Sequence, residues 1–83
     1  MYKVLLTDKA INDLSKLDDD ISKFIKTKLL EYSKEPFNYA KKLSNPKIGT
    51  YRFRISDYRI IFDIDKDNIV VLRIGHRKEI YKY

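Results

Sequence analysis

The sequence predicts an α+β fold: an N-terminal strand, then a helical hairpin packed on one face of a mostly antiparallel four-stranded sheet, in the order β-α-α-β-β-β. Three observations predict it. Apolar residues recur at helical spacing between Ala10 and Tyr32. From Tyr51 onward they alternate with charged residues at the period of a strand. Short clusters of Ser, Asp, Lys and Asn cut that alternation into three segments. Helices gathered on one face of such a sheet define the class. The 83 residues suit a single domain over 1–83, with no internal repeat or low-complexity linker.

Each element has its own signal. Tyr2-Lys3-Val4-Leu5-Leu6 is β-branched and aromatic and reads as the first strand, ending at Thr7-Asp8, a helix N-cap pair. Ala10, Leu14 and Leu17 then mark a short amphipathic helix, with Lys9, Asp13 and Lys16 expected to face outward. Asp18-Asp19-Asp20 makes a turn and sets negative charge at the start of a second helix, where the macrodipole favours it. Ile21, Phe24, Ile25, Leu29 and Tyr32 form the apolar stripe of that helix, and Pro36 bars it from passing Glu35. Phe37 to Ile48 has no clean period and reads as a connecting loop.

Three strands follow. Tyr51, Phe53 and Ile55 alternate with Arg52 and Arg54, so one face of the first is buried and the other open. Ser56-Asp57 connects it tightly to Tyr58–Asp65, whose apolar face is Tyr58, Ile60, Phe62 and Ile64, with Arg59 on the other side. Lys66-Asp67-Asn68 is a second hairpin turn, since Asp and Asn tolerate left-handed backbone. Ile69–Ile74 is uniformly apolar, which suggests a central strand buried on both faces and leaves the face of Arg73 undetermined. Gly75 ends it, and His76–Tyr83 is a tail or short helical turn.

Composition narrows the function. The formal net charge is +6, which points to a polyanion or an acidic protein as partner. Solubility alone explains an excess of lysine equally well. It does not explain why every arginine (Arg52, Arg54, Arg59, Arg73 and Arg77) lies in the C-terminal half. Arginine recognises phosphate bidentately and stays charged at any working pH. With the apolar residues of the strands under the helices, Arg52, Arg54 and Arg59 share the uncovered face, close enough to repel one another and to hold an anion. The chain has no Cys, hence no disulfide, thiolate nucleophile or thiolate metal site. Its apolar runs are too short to cross a bilayer, and no signal-peptide core is present. These features fit a cytoplasmic protein without a membrane, metal or small-molecule cofactor.

The set Tyr51-Arg52-Phe53-Arg54, Asp57-Tyr58-Arg59-Ile60-Ile61-Phe62 and Gly75-His76-Arg77-Lys78-Glu79-Ile80-Tyr81, with Lys42-Leu43 ahead of it, resembles the RelE/ParE toxin superfamily over nearly the whole chain. In that superfamily RelE-like members cut messenger RNA in the ribosomal A site. ParE-like members poison DNA gyrase and typically lack the catalytic residues. Both are neutralised by a co-expressed antitoxin. The resemblance implies a RelE-like site of Arg52, Arg54, Arg59, Arg77 and Tyr81, an antitoxin of RelB type, and the ribosome and messenger as partners. Lys41, Lys42, Lys47, Arg73 and His76 are the candidates for further RNA contact. The rival expectations are a gyrase poison without catalysis and an inactive relative that binds only RNA or an antitoxin.

Metal-independent RNA cleavage must deprotonate a 2′-hydroxyl, stabilise a pentacovalent phosphate and protonate the 5′-oxygen. Arg52, Arg54 and Arg59 suit the second task, since fixed positive donors where charge develops are often the largest contribution to catalysis. Arginine cannot act as a base. That leaves Tyr81, with His76 as the alternative. An ordinary tyrosine is ionised to roughly one part in a thousand at pH 7, and neighbouring cations raise that fraction. Arg77 would neutralise the leaving group.

Overall fold

The computed structural model describes residues 1–44 and 47–81. Asn45 and Pro46, expected in the connecting loop, and Lys82 and Tyr83 of the expected tail lie outside the described residues. The elements run β1 (Lys3–Leu6), α1 (Asp8–Ser15), α2 (Asp19–Tyr32), a 3₁₀ turn at Pro36–Asn38, β2 (Lys41–Lys42), β3 (Tyr51–Ile55), β4 (Tyr58–Asp65) and β5 (Asn68–His76). This is the expected α+β architecture, with five strands rather than four. The extra strand is the two-residue β2, which has no periodicity of its own and exists by pairing Lys41 with Arg52 and Lys42 with Tyr51.

The sheet order is β1-β5-β4-β3-β2. β1 runs parallel to β5, and every other pair is antiparallel. The crossover from β1 to its parallel neighbour passes through the rest of the chain, so both helices lie on one face. Ala10, Leu14, Ile25 and Leu29 are buried there against Phe53, Ile55, Ile60, Phe62, Ile69, Val71 and Ile74. Phe53 and Phe62 stack at 4.2 Å between ring centroids, and Tyr32 meets Phe53 edge-on at 5.3 Å. Tyr39 stacks flat on Tyr32 at 3.9 Å, so this loop aromatic packs on the protein itself. Among the described residues no helix is long and apolar enough to cross a membrane.

Four local expectations are corrected. Phe24 is 48% exposed; the helix turns Ile25 and Leu29 inward instead. Asp13 is buried, not outward. β1 stops beside Val71, so among the described residues no strand pairs the continuing edge of β5, and Thr7 and α1 supply its partners. The Thr7 hydroxyl donates to the Leu72 carbonyl at 3.1 Å, and the Ile74 N–H donates to the Asp13 carboxylate at 2.9 Å. Thr7 also caps α1, accepting from the Ala10 N–H at 3.2 Å. In the second hairpin turn the left-handed residue is Lys66, with φ of 57°, rather than Asp67 or Asn68.

The fourth correction concerns β5. It is central, between β1 and β4, but Val70 and Leu72 are only partly buried. The ladder carries a bulge: Phe62 pairs with Val71, yet Ile61 pairs with Arg73, so Leu72 is the additional residue. A one-residue slip exchanges the two faces of a strand. Beyond the bulge, Ile74 returns to the helix-covered face, while Arg73 and Gly75 take the face carrying Arg59 and Ile61.

Candidate active site

The uncovered face presents the arginines by strand alternation. Arg54 and Arg59 are direct cross-strand partners in the β3–β4 ladder, and Arg52 is opposite Ile61. On the outer side, Lys41 is opposite Arg52. Arg59 is the innermost of the group, only 6% exposed. Its Nη1 donates to the carbonyls of Ser56 at 3.1 Å and Tyr58 at 3.0 Å. Neither Asp57 nor Asp63 is its partner; Asp57 faces Arg77, and Asp63 accepts from the Thr50 N–H at 2.8 Å.

Burial holds the Arg59 guanidinium below its ordinary pKa, and the positive charge of Arg54 lowers it further. Tyr81 acts in the opposite direction, while Arg52 and Arg77 add to the depression. A group whose cations repel one another is poised for an anion, because a bound phosphate removes the repulsion and the unfavourable burial together.

The C-terminal turn delivers the remaining residues. The N–H groups of Glu79 and Ile80 both donate to the His76 carbonyl at 2.9 Å, which folds the chain back on β5. The Arg77 N–H donates to the Asp57 carbonyl at 2.7 Å, and its Nε is 3.6 Å from the Asp57 carboxylate, both side chains being exposed. Ile80 is buried, whereas Tyr81 is 44% exposed. Tyr81 lines a recess of about 360 Å³ with Lys42, Leu43, Ser44, Ile48 and Arg52.

The other candidates for RNA contact divide. Lys41 and Lys42 are exposed beside Arg52. Lys47 lines a separate cavity of about 490 Å³, with Ile48, Ile61, Leu72 and Ile80 among its walls. Arg73 is engaged by Asp13, with Nε at 2.9 Å and Nη2 at 3.2 Å from the two carboxylate oxygens. His76 is opposite Tyr58 in the ladder, on the helix-covered face and not with the arginines. Its ring meets Tyr58 edge-on at 5.6 Å, and its Nδ1 accepts from the Lys78 N–H at 3.1 Å. Among the described residues no three His, Cys, Asp or Glu side chains gather as a metal site. Sequence reasoning missed Ile80 and the recess residues Leu43 and Ser44. Gly75 within a strand was the available signal, since it marks a close approach of another part of the chain.

Known proteins resemble this chain over nearly its whole length. The model of the ParE toxin of type II toxin–antitoxin systems matches residues 4–81. Toxin RelG of Mycobacterium tuberculosis is 33% identical over 84 residues, spanning 98% of this chain and 97% of that protein. Toxin RelE3 of Methanocaldococcus jannaschii is 34% identical over 85 residues, with the same shares of each chain covered. A chain in the crystal structure of the toxin–antitoxin complex RelBE2 of Mycobacterium tuberculosis superposes with a TM-score of 0.83 at 33% identity, over 92% of this chain and 98% of that one. The protein therefore belongs to the ParE toxin family within the RelE/ParE superfamily, as a RelE-type toxin of type II toxin–antitoxin systems.

Proposed function

We propose that this toxin is a ribosome-dependent endoribonuclease that cleaves messenger RNA in the A site. The observation that carries the reading is the pairing of Arg54 with the buried Arg59 across the β3–β4 ladder, with Arg52 on the same face and Tyr81 sharing a recess with Arg52. The Ser56 and Tyr58 carbonyls hold Arg59 in place before any ligand arrives, so little reorganisation is needed when phosphate charge develops. Tyr81 takes the proton of the 2′-hydroxyl, which attacks the adjacent phosphorus. Arg52, Arg54 and Arg59 stabilise the pentacovalent phosphate. The 5′-oxygen leaves beside Arg77, which neutralises its charge, and takes a proton from water, giving a 2′,3′-cyclic phosphate and a 5′-hydroxyl. Arg54, Lys41 and Lys42 are exposed at the edge of the site, which supports a division of labour in which the ribosome positions the message and exposed lysines grip ribosomal RNA.

The partner that restrains this activity is an antitoxin with an acidic, amphipathic segment. The support is the exposed basic face and the similarity to a toxin solved in complex with its antitoxin. Masking the arginines or displacing Tyr81 would each stop cleavage.

The test is to add the purified chain to ribosomes programmed with a defined message and to map 5′ ends. Cleavage within the A-site codon, leaving a 5′-hydroxyl, is the expected result. The family name also covers gyrase poisons, so DNA supercoiling by gyrase is measured with the same protein. An intact message together with inhibited supercoiling would overturn the nuclease reading.

A further inference from the structure

Gly75 is directly across the ladder from Arg59, on the arginine face. Ile80 fills the space beside it: a Cβ on Gly75 would lie 2.9 Å from Ile80 Cδ1, so the end of that side chain would have to shift, and 3.5 Å from Ile80 Cβ, in ordinary contact. Ile80 is only 3% exposed, the sole buried side chain of the described residues after β5. Its neighbours in sequence, Glu79 and Tyr81, are exposed. Two backbone bonds to the His76 carbonyl close the turn, and the Arg77 N–H bond to the Asp57 carbonyl ties its start to the β3–β4 connection. Ile80, in the space left by Gly75, is the side chain that packs the far end of the turn on the sheet. The next residue is Tyr81, which lines the recess it shares with Arg52 and Lys42.

We infer that Ile80, seated on Gly75, is a positioning residue that holds Tyr81 against the arginine group. The inference rests on the nuclease reading above and deepens it. Ile80 touches no reacting atom; it acts through Tyr81. The bulge at Leu72 is part of the device, because without it Gly75 would face the helices and no seat would exist on the arginine face. The fit is specific in shape. Gly75→Ala pushes against the Cδ1 methyl of Ile80, and Ile80→Val deletes that methyl, so the double change restores the seat.

The experiment is a double-mutant cycle in single-turnover cleavage on programmed ribosomes, with ribosome binding and thermal unfolding read on the same samples. Ile80→Ala is expected to slow cleavage about 10²-fold, the usual consequence of misplacing a catalytic group by an ångström. Ribosome binding should stay unchanged, since the arginines remain. In the Tyr81→Phe background, Ile80→Ala should cost nothing more. Gly75→Ala should slow cleavage, and Gly75→Ala with Ile80→Val should recover it. Where Ile80→Ala is poorly folded, the Gly75→Ala and Ile80→Val set carries the test alone. Additive losses in the cycle, wild-type cleavage by Ile80→Ala or by Gly75→Ala, or no recovery in the compensating pair overturns the inference. A wild-type chain that leaves the message intact overturns the nuclease reading instead. A Tyr81→Phe variant as fast as wild type removes Tyr81 as the base, and slow cleavage by Ile80→Ala in that case shows that Ile80 does not act through it.

Discussion

The Asp13 carboxylate accepts from both the Arg73 guanidinium and the Ile74 N–H, tying α1 to the edge of β5 that β1 leaves unpaired. Burial alone would raise its pKa. The Arg73 hydrogen bond, the Ile74 N–H and the charges of Arg73 and Lys16 outweigh that and hold it below the ordinary 3.8. A carboxylate lowered on folding adds stability that is complete above its unfolded value and lost as pH falls through its folded value. Asp13→Asn should therefore cost about 1–3 kcal/mol at pH 7, the range for a charge-assisted bond whose donors stay buried. Thermal unfolding of both proteins from pH 7 downward checks this: the gap between them should narrow below pH 3.8. A gap that stays constant or widens with acid would show that Asp13 does not carry the link.

Arg59 makes the opposite trade. Burial and the charges of Arg54, Arg52 and Arg77 all disfavour its positive form, against which stand Tyr81 and the two carbonyls that accept from it. Replacing a buried, repelled charge with an apolar side chain is often neutral or stabilising. Arg59→Leu should leave the melting temperature unchanged or raise it, even though the Ser56 and Tyr58 carbonyls lose a donor. Cleavage on programmed ribosomes should fall by roughly 10²–10³, as expected when one fixed donor to a developing oxyanion is removed. A stable variant that cuts at the wild-type rate would remove Arg59 from the site.

Strand alternation made most of this site legible in the sequence. Tyr51, Phe53 and Ile55 inward require Arg52 and Arg54 outward, and the two-residue connection at Ser56-Asp57 sets Arg59 beside Arg54. What alternation cannot show is an insertion within a uniformly apolar run. The additional residue Leu72 falls between apolar neighbours, so the faces of Arg73, Gly75 and His76 could not be read. Asp13 was assigned outward because a helical wheel ranks residues on one helix, whereas the partner that buries it is 60 residues away in sequence. Ile80 is a single apolar residue in a charged tail, and one residue has no period.

Salt dependence tests the electrostatic part independently. Each phosphate neutralised on single-stranded RNA contributes about 0.7 to the slope of log affinity against log salt. Arg54 is exposed and lies at the outer mouth of the group, opposite Arg59. Arg54→Ala should reduce the slope for binding single-stranded RNA by about 0.7 while leaving the melting temperature within about 0.5 kcal/mol of stability, the usual range for an exposed substitution. A slope near zero for the wild type would contradict phosphate recognition by this face.

Lys66 offers a prediction about the scaffold alone. Its φ of 57° places a non-glycine residue in the left-handed region at the β4–β5 turn. That conformation costs roughly 1–2 kcal/mol for a side chain with a Cβ, against about 0.5–1 kcal/mol of added chain entropy for glycine. Lys66→Gly should raise stability by up to about 1 kcal/mol by this difference, with cleavage unaffected because the turn is remote from the arginines. Denaturant unfolding with an unchanged m-value is the measurement. A loss of stability would mean that the lysine side chain contributes more than its backbone costs.

Arg77 and Asp57 separate a resting contact from a working one. Their side chains are more than half exposed and 3.6 Å apart, a geometry worth between zero and about 1 kcal/mol. Arg77 is held at this site by its backbone, through the N–H donated to the Asp57 carbonyl, which side-chain substitutions leave in place. The carboxylate therefore competes weakly with phosphate for the guanidinium. Asp57→Asn should leave the fold intact, cleave at close to the wild-type rate, and bind programmed ribosomes more tightly at low salt, where removal of a negative charge is least screened. Arg77→Ala should also fold and bind, but lose cleavage, because the departing 5′-oxygen no longer has a cation beside it. Parallel measurements of ribosome affinity and single-turnover rate for the two variants decide the matter. If Asp57→Asn loses cleavage as completely as Arg77→Ala, the ion pair itself is the functional unit, and Arg77 does not act as a free cation toward the leaving group.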